Sequence, residues 1–333
     1  MRELTCMYVP EYTITSEILK NIATIEYGKA IIDSQKILPH WKKQISKEAK
    51  VRTIRHSLQL EGMNFEEDKV KRAVDAVLKT VPKEIKNFLT ALELVETASN
   101  TQELDETEIK ELHRKLTVGI LPETQQGRYR SMKLERSTNP EELLAEMVEL
   151  FDWYNSLDAK ETHPVITSGI MLSQMEKIKP FSSFNPSGAV LTTRVCLKMG
   201  NYHMNDYYSL EESFAVSKVA HARALESIED DLTKWLEYFT DTLAREVSNI
   251  KEKVLLLARD TKLAKASGRV NLTERQERIV EFLQDYGLLQ NKAFTKLFPD
   301  VSEDSILRDL KTLIEMGVVV KRGKTKSSRY ELK

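Results

Sequence analysis

The sequence predicts a mainly α-helical protein that closes with a small unit of mixed helices and strands. Three observations predict this class. Apolar residues recur at helical spacing along most of the chain. Gly and Pro number only 11 and 9 in 333 residues, which favours long helices over tight turns. Past Ser267-Gly268, three short helical patterns are followed by two strand-like runs around a polar turn.

The elements follow in order. Ile18, Leu19, Ile22, Ile25 and Ile31 predict a helix over 14–36, broken by Pro39. Residues 42–61 form a second, stopped at Gly62. Helices over 66–79 and 83–98 flank Pro82. Asp105 is placed to cap a helix carrying Ile109, Leu112 and Leu116. Gly119, Pro122 and Gly127 then punctuate the chain, and Tyr129–Leu134 reads as a short strand or an extended arm. Helices resume over 141–157 and 164–177. Two prolines and a glycine make 179–188 a loop, and 189–199 restarts the helix. Residues 211–266 read as strongly helical. Leu243, Val247, Ile250, Val254 and Leu257 form a short heptad seam, either packed within the chain or available to a second copy. The expected divisions are 1–100, a helical region; 101–266, a helical core with trailing helices; and 269–333, the terminal unit.

Composition narrows the function classes. Lys+Arg is 50 and Asp+Glu is 51, a formal net charge of −1. That excludes a uniformly basic nucleic-acid binder and leaves room for a local basic patch. No apolar run reaches the roughly 18 residues of a membrane helix, and the N-terminal residues lack the apolar core of a signal peptide. Cys6 and Cys196 make no disulfide framework. A cytoplasmic location without membrane partners is expected. The histidines show no metal-ligand spacing, so no metal is expected; His113 and His163 suit core or capping roles. Cys196 and the three tryptophans read as core.

The order of helix, helix, helix and hairpin over 269–333 is that of a winged helix-turn-helix, and the run from Val301 to Val319 resembles recognition helices of bacterial regulators. Residues 321–333 hold six basic residues against Glu331, a local charge of +5, which suits a phosphate backbone. The candidate DNA contacts are Ser302, Ser305, Arg308 and Lys311 on the third helix and Lys321, Arg322, Lys324, Lys326 and Arg329 on the hairpin. Glu303, Asp304 and Asp309 put opposing charge on the same helix, and such units also bind proteins.

Residues 163–199 resemble the core of the Fic/DOC (Fido) family, whose signature is H-P-F-x-[DE]-G-N-G-R-x-x-R between two helices. Leu112–Leu116 and Gly127–Arg130 resemble that family's preceding helix and the start of its target-docking flap, here short. Ser57…Glu61-Gly62 matches its [ST]-x-x-x-E-[GN] inhibitory helix. The resemblance implies a helical bundle, and an activity that transfers AMP from ATP with Mg²⁺ to a protein hydroxyl. There the His acts as general base, the acidic residue holds the metal, the Gly-Asn-Gly main chain cradles phosphate and the arginines clamp it.

This chain departs from that signature. Lys179 replaces the base, and an unperturbed Lys, of pKa about 10.4, is a poor one at neutral pH. Ser183 replaces the metal ligand. Phe184 and Pro186 replace the glycines, and Pro has no N–H to donate. Ser187 and Val190 replace the arginines. Asn185 is retained and is the one candidate nucleotide contact. Glu61 lacks its arginine at 190; either Arg194, one turn on, takes that place or Glu61 only ends a helix beside Gly62. The expected function is a Fic-domain protein with an inactive adenylyl transferase site joined to a DNA-binding unit. No cofactor is expected, and ATP with magnesium binds only if the pocket survives. A residual nucleotide-binding or AMP-transferring enzyme, and a scaffold for a protein partner or homodimer, are the alternatives.

Overall fold

The computed structural model describes residues 8–98, 103–228, 231–266, 272–299, 301–323 and 328–332. The chain divides into two compact units, Met1–Ser34 with Ser46–Glu252, and Gln35–Ile45 with Lys253–Lys333. The helices in chain order are α1 (Ser16–Ser34), α2 (Pro39–Leu60), α3 (Glu67–Val74), α4 (Lys83–Ala98), α5 (Glu106–Thr117), α6 (Pro140–Asn155), α7 (Leu157–Glu161), α8 (Pro164–Ile178), α9 (Asn185–Met199), α10 (Leu210–Val216), α11 (Lys218–Glu226) and α12 (Thr233–Ala266). They are followed by α13 (Glu274–Tyr286), β1 (Leu289–Gln290), α14 (Phe294–Leu297), α15 (Glu303–Glu315), β2 (Val319–Arg322) and β3 (Arg329–Leu332).

The first unit is built around α8 and α9. They pack on each other, and nearly every residue of both is buried. Helices apolar on all sides belong at the centre of a domain, so the loop joining them is held by whatever surrounds that centre. Helices α4 and α5 pack on each other and on α9, and α6 packs on α8. Asp105 does cap α5: it accepts from Thr107 N while Glu108 reaches back to the Asp105 N–H. On another side Trp235 of α12 donates its indole N–H to Gly169 O of α8 at 2.8 Å. A Cβ at Gly169 would meet Phe239 Cδ1 at 2.7 Å. Helix α1 lies on α12 just as tightly, with Asn21 Nδ2 donating to Thr240 Oγ1 at 3.1 Å. The segment before α1 is tied to the start of α12 by Leu232 N donating to Glu11 O and Thr13 N donating to Thr233 Oγ1, both at 2.8 Å.

In the second unit α13 and α15 close over a three-stranded antiparallel sheet of order β1-β3-β2. Ile279, Leu283, Leu289, Phe294, Leu310 and Leu313 fill the space between them. Thr273 and Gln276 form a capping box on α13, and Gly317, at φ +70°, ends α15 and turns the chain into β2.

Several expectations shift. Tyr129–Leu134 is an extended arm and not a strand. Helix α9 starts at Asn185, because Pro186 sits in its first turn, where a missing N–H costs nothing. The 211–266 stretch is three helices, and α3 stops at Val74. The strand β1 has no sequence pattern of its own. The seam residues Leu243, Val247, Ile250, Val254 and Leu257 are all buried within the chain. A Cβ at Gly28 would lie 2.3 Å from Val247 Cγ1. The change Gly28→Ala therefore lowers stability by about 1–3 kcal/mol through overpacking, despite the better helix propensity of Ala, as urea denaturation will show.

Candidate functional site

The loop 179–184 between α8 and α9 begins and ends on a left-handed residue, Lys179 at φ 48° and Phe184 at φ 58°. Such geometry in bulky residues is maintained only where the surroundings over-determine it. Three side chains do so here. Arg130, only 6% exposed, donates from Nε to Lys179 O at 2.7 Å and from Nη2 to Ile178 O at 3.0 Å and Thr138 O at 2.6 Å. Its Nη1 reaches Met132 O at 2.8 Å, and its own N–H donates to Pro180 O at 2.9 Å. The guanidinium thus sits on the carbonyl-rich C-terminus of α8, where a positive charge is favoured.

His113 of α5 is fully buried and stacks on Phe181 at 3.8 Å. Gly127 N donates to its Nδ1 at 3.0 Å, so Nε2 carries the proton and donates to Ser183 O at 3.0 Å. Burial pushes its pKa down to about 4, and the ring stays neutral in the folded protein at neutral pH. Asn185 closes the loop on itself, accepting from Phe181 N at 2.9 Å and donating to Phe181 O at 2.8 Å.

Other signature positions are engaged as well, although the Ser187 hydroxyl is buried without a hydrogen-bond partner. The Lys179 amine donates to Glu135 O at 3.1 Å. Phe184 and Val190 are buried apolar side chains. Helix α2 ends at Gly62, at φ +79°, with Ser57 buried. Glu61 Oε1 there accepts from Ser187 N at 2.9 Å, so its carboxylate lies on the N-terminus of α9. Burial still pushes the Glu61 carboxyl up, against the hydrogen bonding from Ser187. Arg194 does not meet Glu61. It is buried against Glu211, with Nε to Oε1 at 2.7 Å and Nη2 to Oε2 at 2.9 Å, and Nη2 also donates to Thr53 Oγ1 at 2.8 Å.

Sequence reasoning passed over Glu176, although an acid in the apolar run of α8 was a visible signal. Burial, reinforced by the nearby Glu61 and opposed by Lys179, pushes its carboxyl up to about 7. His113 fills its expected core role, and His163 caps α8, accepting from Val165 N at 3.3 Å. Among the described residues no cluster of three or more His, Cys, Asp or Glu is placed to hold a metal.

In the second unit Ser302 caps α15, accepting from Ser305 N at 3.4 Å and contacting Ser305 Oγ at 2.9 Å. Arg308 and Lys311 are exposed on α15, and Lys321, Arg322 and Arg329 on the strands. Lys324 and Lys326 lie outside the described residues. Asp309 is turned inward, where Arg275 Nε and Gln276 Nε2 donate to it. Glu331 pairs with Arg322 at 2.8 Å and Arg329 at 3.0 Å. Among the described residues no helix is long and apolar enough to cross a membrane.

Residues 103–197, from the segment before α5 through α9, match the Fic/DOC family model. The chain therefore carries a Fic domain, and its fold is that of solved Fic proteins. A Fic family protein from Desulfovibrio desulfuricans G20 superposes with a TM-score of 0.61 at 21% identity, covering 98% of each chain. A Fic domain containing signaling protein from Bacteroides thetaiotaomicron VPI-5482 gives 0.58 at 20%, over 74% of this chain and 97% of that one. Fic-1 from C. elegans (aa134–508) gives 0.60 at 14%, over 73% of each. No curated protein matches the sequence.

The raised carboxyl of Glu176 has a direct consequence. A folded-state pKa above the unfolded value contributes stability below the unfolded value, near pH 4.5, that is lost as pH rises to about 7. Glu176→Gln should thus raise the melting temperature at pH 8 and change it little or lower it at pH 5. Thermal unfolding at the two pH values measures this.

Proposed function

We propose that this chain is a DNA-binding regulator in which the Fic domain no longer transfers AMP. Support for the second half comes from the loop. An AMP transferase of this family needs a base, a metal ligand, open phosphate-binding amides and cationic clamps. Here the Lys179 amine is a donor bonded to Glu135 O, and Ser183 offers no carboxylate. Pro186 has no N–H, the Ser187 amide is occupied by Glu61, and Asn185 is bound to the main chain of Phe181. Val190 belongs to the core. These residues do not fit ATP with magnesium. Each lost function is often worth a hundredfold or more in rate.

The observation that carries the DNA reading is the charge on the winged-helix-like second unit. Arg308, Lys311, Lys321, Arg322 and Arg329 are exposed on its third helix and hairpin, while Asp309, the acid deepest in that helix, is charge-paired with Arg275 and accepts a hydrogen bond from Gln276. Removing one opposing acid from the surface strengthens a phosphate footprint. A third helix in the major groove with the hairpin on the backbone is the docking such a unit offers.

Two measurements test the proposal. Calorimetric titration with ATP and Mg²⁺ should give no heat; micromolar binding, lost on Asn185→Ala, would mean that the nucleotide site works. Fluorescence anisotropy on a pool of genomic DNA fragments should show affinity falling steeply between 50 and 200 mM salt. The double change Lys321→Ala, Arg322→Ala should flatten the log–log salt slope by about 1.8 if both contact phosphate. Absence of salt-sensitive DNA binding removes the regulator reading.

A further inference from the structure

Helix α6 keeps one face bare. Its inward residues Leu143, Met147, Leu150, Phe151 and Trp153 are buried. On the opposite side Leu144 is 57% exposed and Val148 44%, one turn apart, and Ala145 lies exposed beside them. This stripe runs into an open groove of about 890 Å³ formed by the start of α5 and the second half of α6, where Val148, Phe151 and Leu104 supply the apolar lining. The charge of the groove has one sign. Glu103, Asp105, Glu106, Glu108 and Asp152 line it, and no basic residue does. Glu106 pairs with Lys110, one turn along α5, and Asp105 and Glu108 serve the capping box. Glu103 and Asp152 are exposed and make no hydrogen bond or ion pair among the described residues. Helix α6 itself contains no Lys or Arg. Of the bases that flank it in the chain, Lys133 is bonded to Asn139 Oδ1, Arg136 is paired with Glu226, and Lys160 lies beyond on α7.

An apolar stripe alone would fit many partners, and here its acidic border selects among them by sign. A cationic partner turns the repulsion between these carboxylates into attraction, whereas an acidic protein or a phosphate backbone is turned away. Spacing selects the shape. The first unit has no strand among its described residues, so a partner finds no sheet edge to extend. Apolar residues one helical turn apart beside a groove are covered by an amphipathic helix with anchors at i, i+3 or i+4, and i+7. We propose that the outward face of α6 docks a basic amphipathic helix of a partner protein. The apolar side of that helix rests on Leu144, Ala145 and Val148, and its Lys or Arg side chains reach Glu103, Glu108 and Asp152. The surface is distinct from the basic hairpin of the second unit, so a partner held here competes with no phosphate contact proposed above.

Fluorescence anisotropy of a labelled Leu/Lys peptide of about 14 residues, four helical turns with Leu on one side, tests this against the full chain at about 50 mM salt. The peptide should bind in the micromolar range. The same composition in an order that scatters Leu around the helix should bind at least tenfold more weakly, and a Leu/Glu peptide not at all. The double change Leu144→Gln, Val148→Gln should weaken binding about tenfold. Glu103→Gln with Asp152→Asn should weaken it severalfold and reduce its salt dependence. All four positions are exposed, so the melting temperature should stay in place. Glu17→Gln with Glu66→Gln removes the same charge from exposed positions elsewhere and should leave binding unchanged. No binding of the Leu/Lys peptide up to about 1 mM overturns the proposal. The scattered peptide binding equally well, or all three double variants weakening binding alike, reduces the effect to net charge and overturns it too. Sedimentation that shows a dimer of this chain abolished by Leu144→Gln, Val148→Gln assigns the face to a second copy and overturns it as well.

Discussion

The site depends first on one buried guanidinium. Arg130 holds the C-terminal carbonyls of α8, the returning main chain at Met132 and Thr138, and through its own N–H the carbonyl of Pro180. A cation out of water is costly unless its donors are satisfied. Burial draws its pKa down, with Glu146 pulling the other way, and the helix-terminal carbonyls supply much of the compensating field. With that end of α8 fixed, the left-handed turn at Lys179 is fixed. The turn in turn places Phe181 under His113, and from there Asn185 sets the start of α9.

From this anchor outward, polar groups of the loop bond to other parts of the same loop or to its immediate support. His113 links it to Gly127, Asn185 links its two halves, and Glu61 covers the first turn of α9. Glu176 departs from this pattern, a carboxyl with Glu61 nearby and Lys179 to balance it, and so does the unpartnered Ser187 hydroxyl. A loop organised this way is held mainly through its own main chain.

The architecture was readable from the sequence wherever a local signal decides it. The cap at Asp105, the stops at Gly62 and Gly317, and the apolar periodicity of α1, α5 and α15 are interactions within a few residues of each other, and such signals survive folding. What sequence could not supply were pairings between different elements of the fold. Glu61 and Ser187 are 126 residues apart; Glu61 does end α2 beside Gly62, and its carboxylate meets the main chain of α9 and not Arg194. Arg194 was drawn to Glu211 because buried charges take the partner that saturates them. The start of α9 was misplaced for a different reason: Pro186 breaks a helix from within but is welcome in a first turn.

The Arg130 clamp touches main-chain oxygens and one serine hydroxyl, and hardly any side chain. Asn185 likewise bonds to the N–H and C=O of Phe181, groups that residue type leaves unchanged. The clamp itself is therefore blind to most of the side chains that the loop displays, Phe181 under His113 being the one whose ring it needs. Position 179 still has to accept a left-handed backbone, but the side chains at 182 and 183 are not read by the clamp, so their chemistry can change while the backbone path is held.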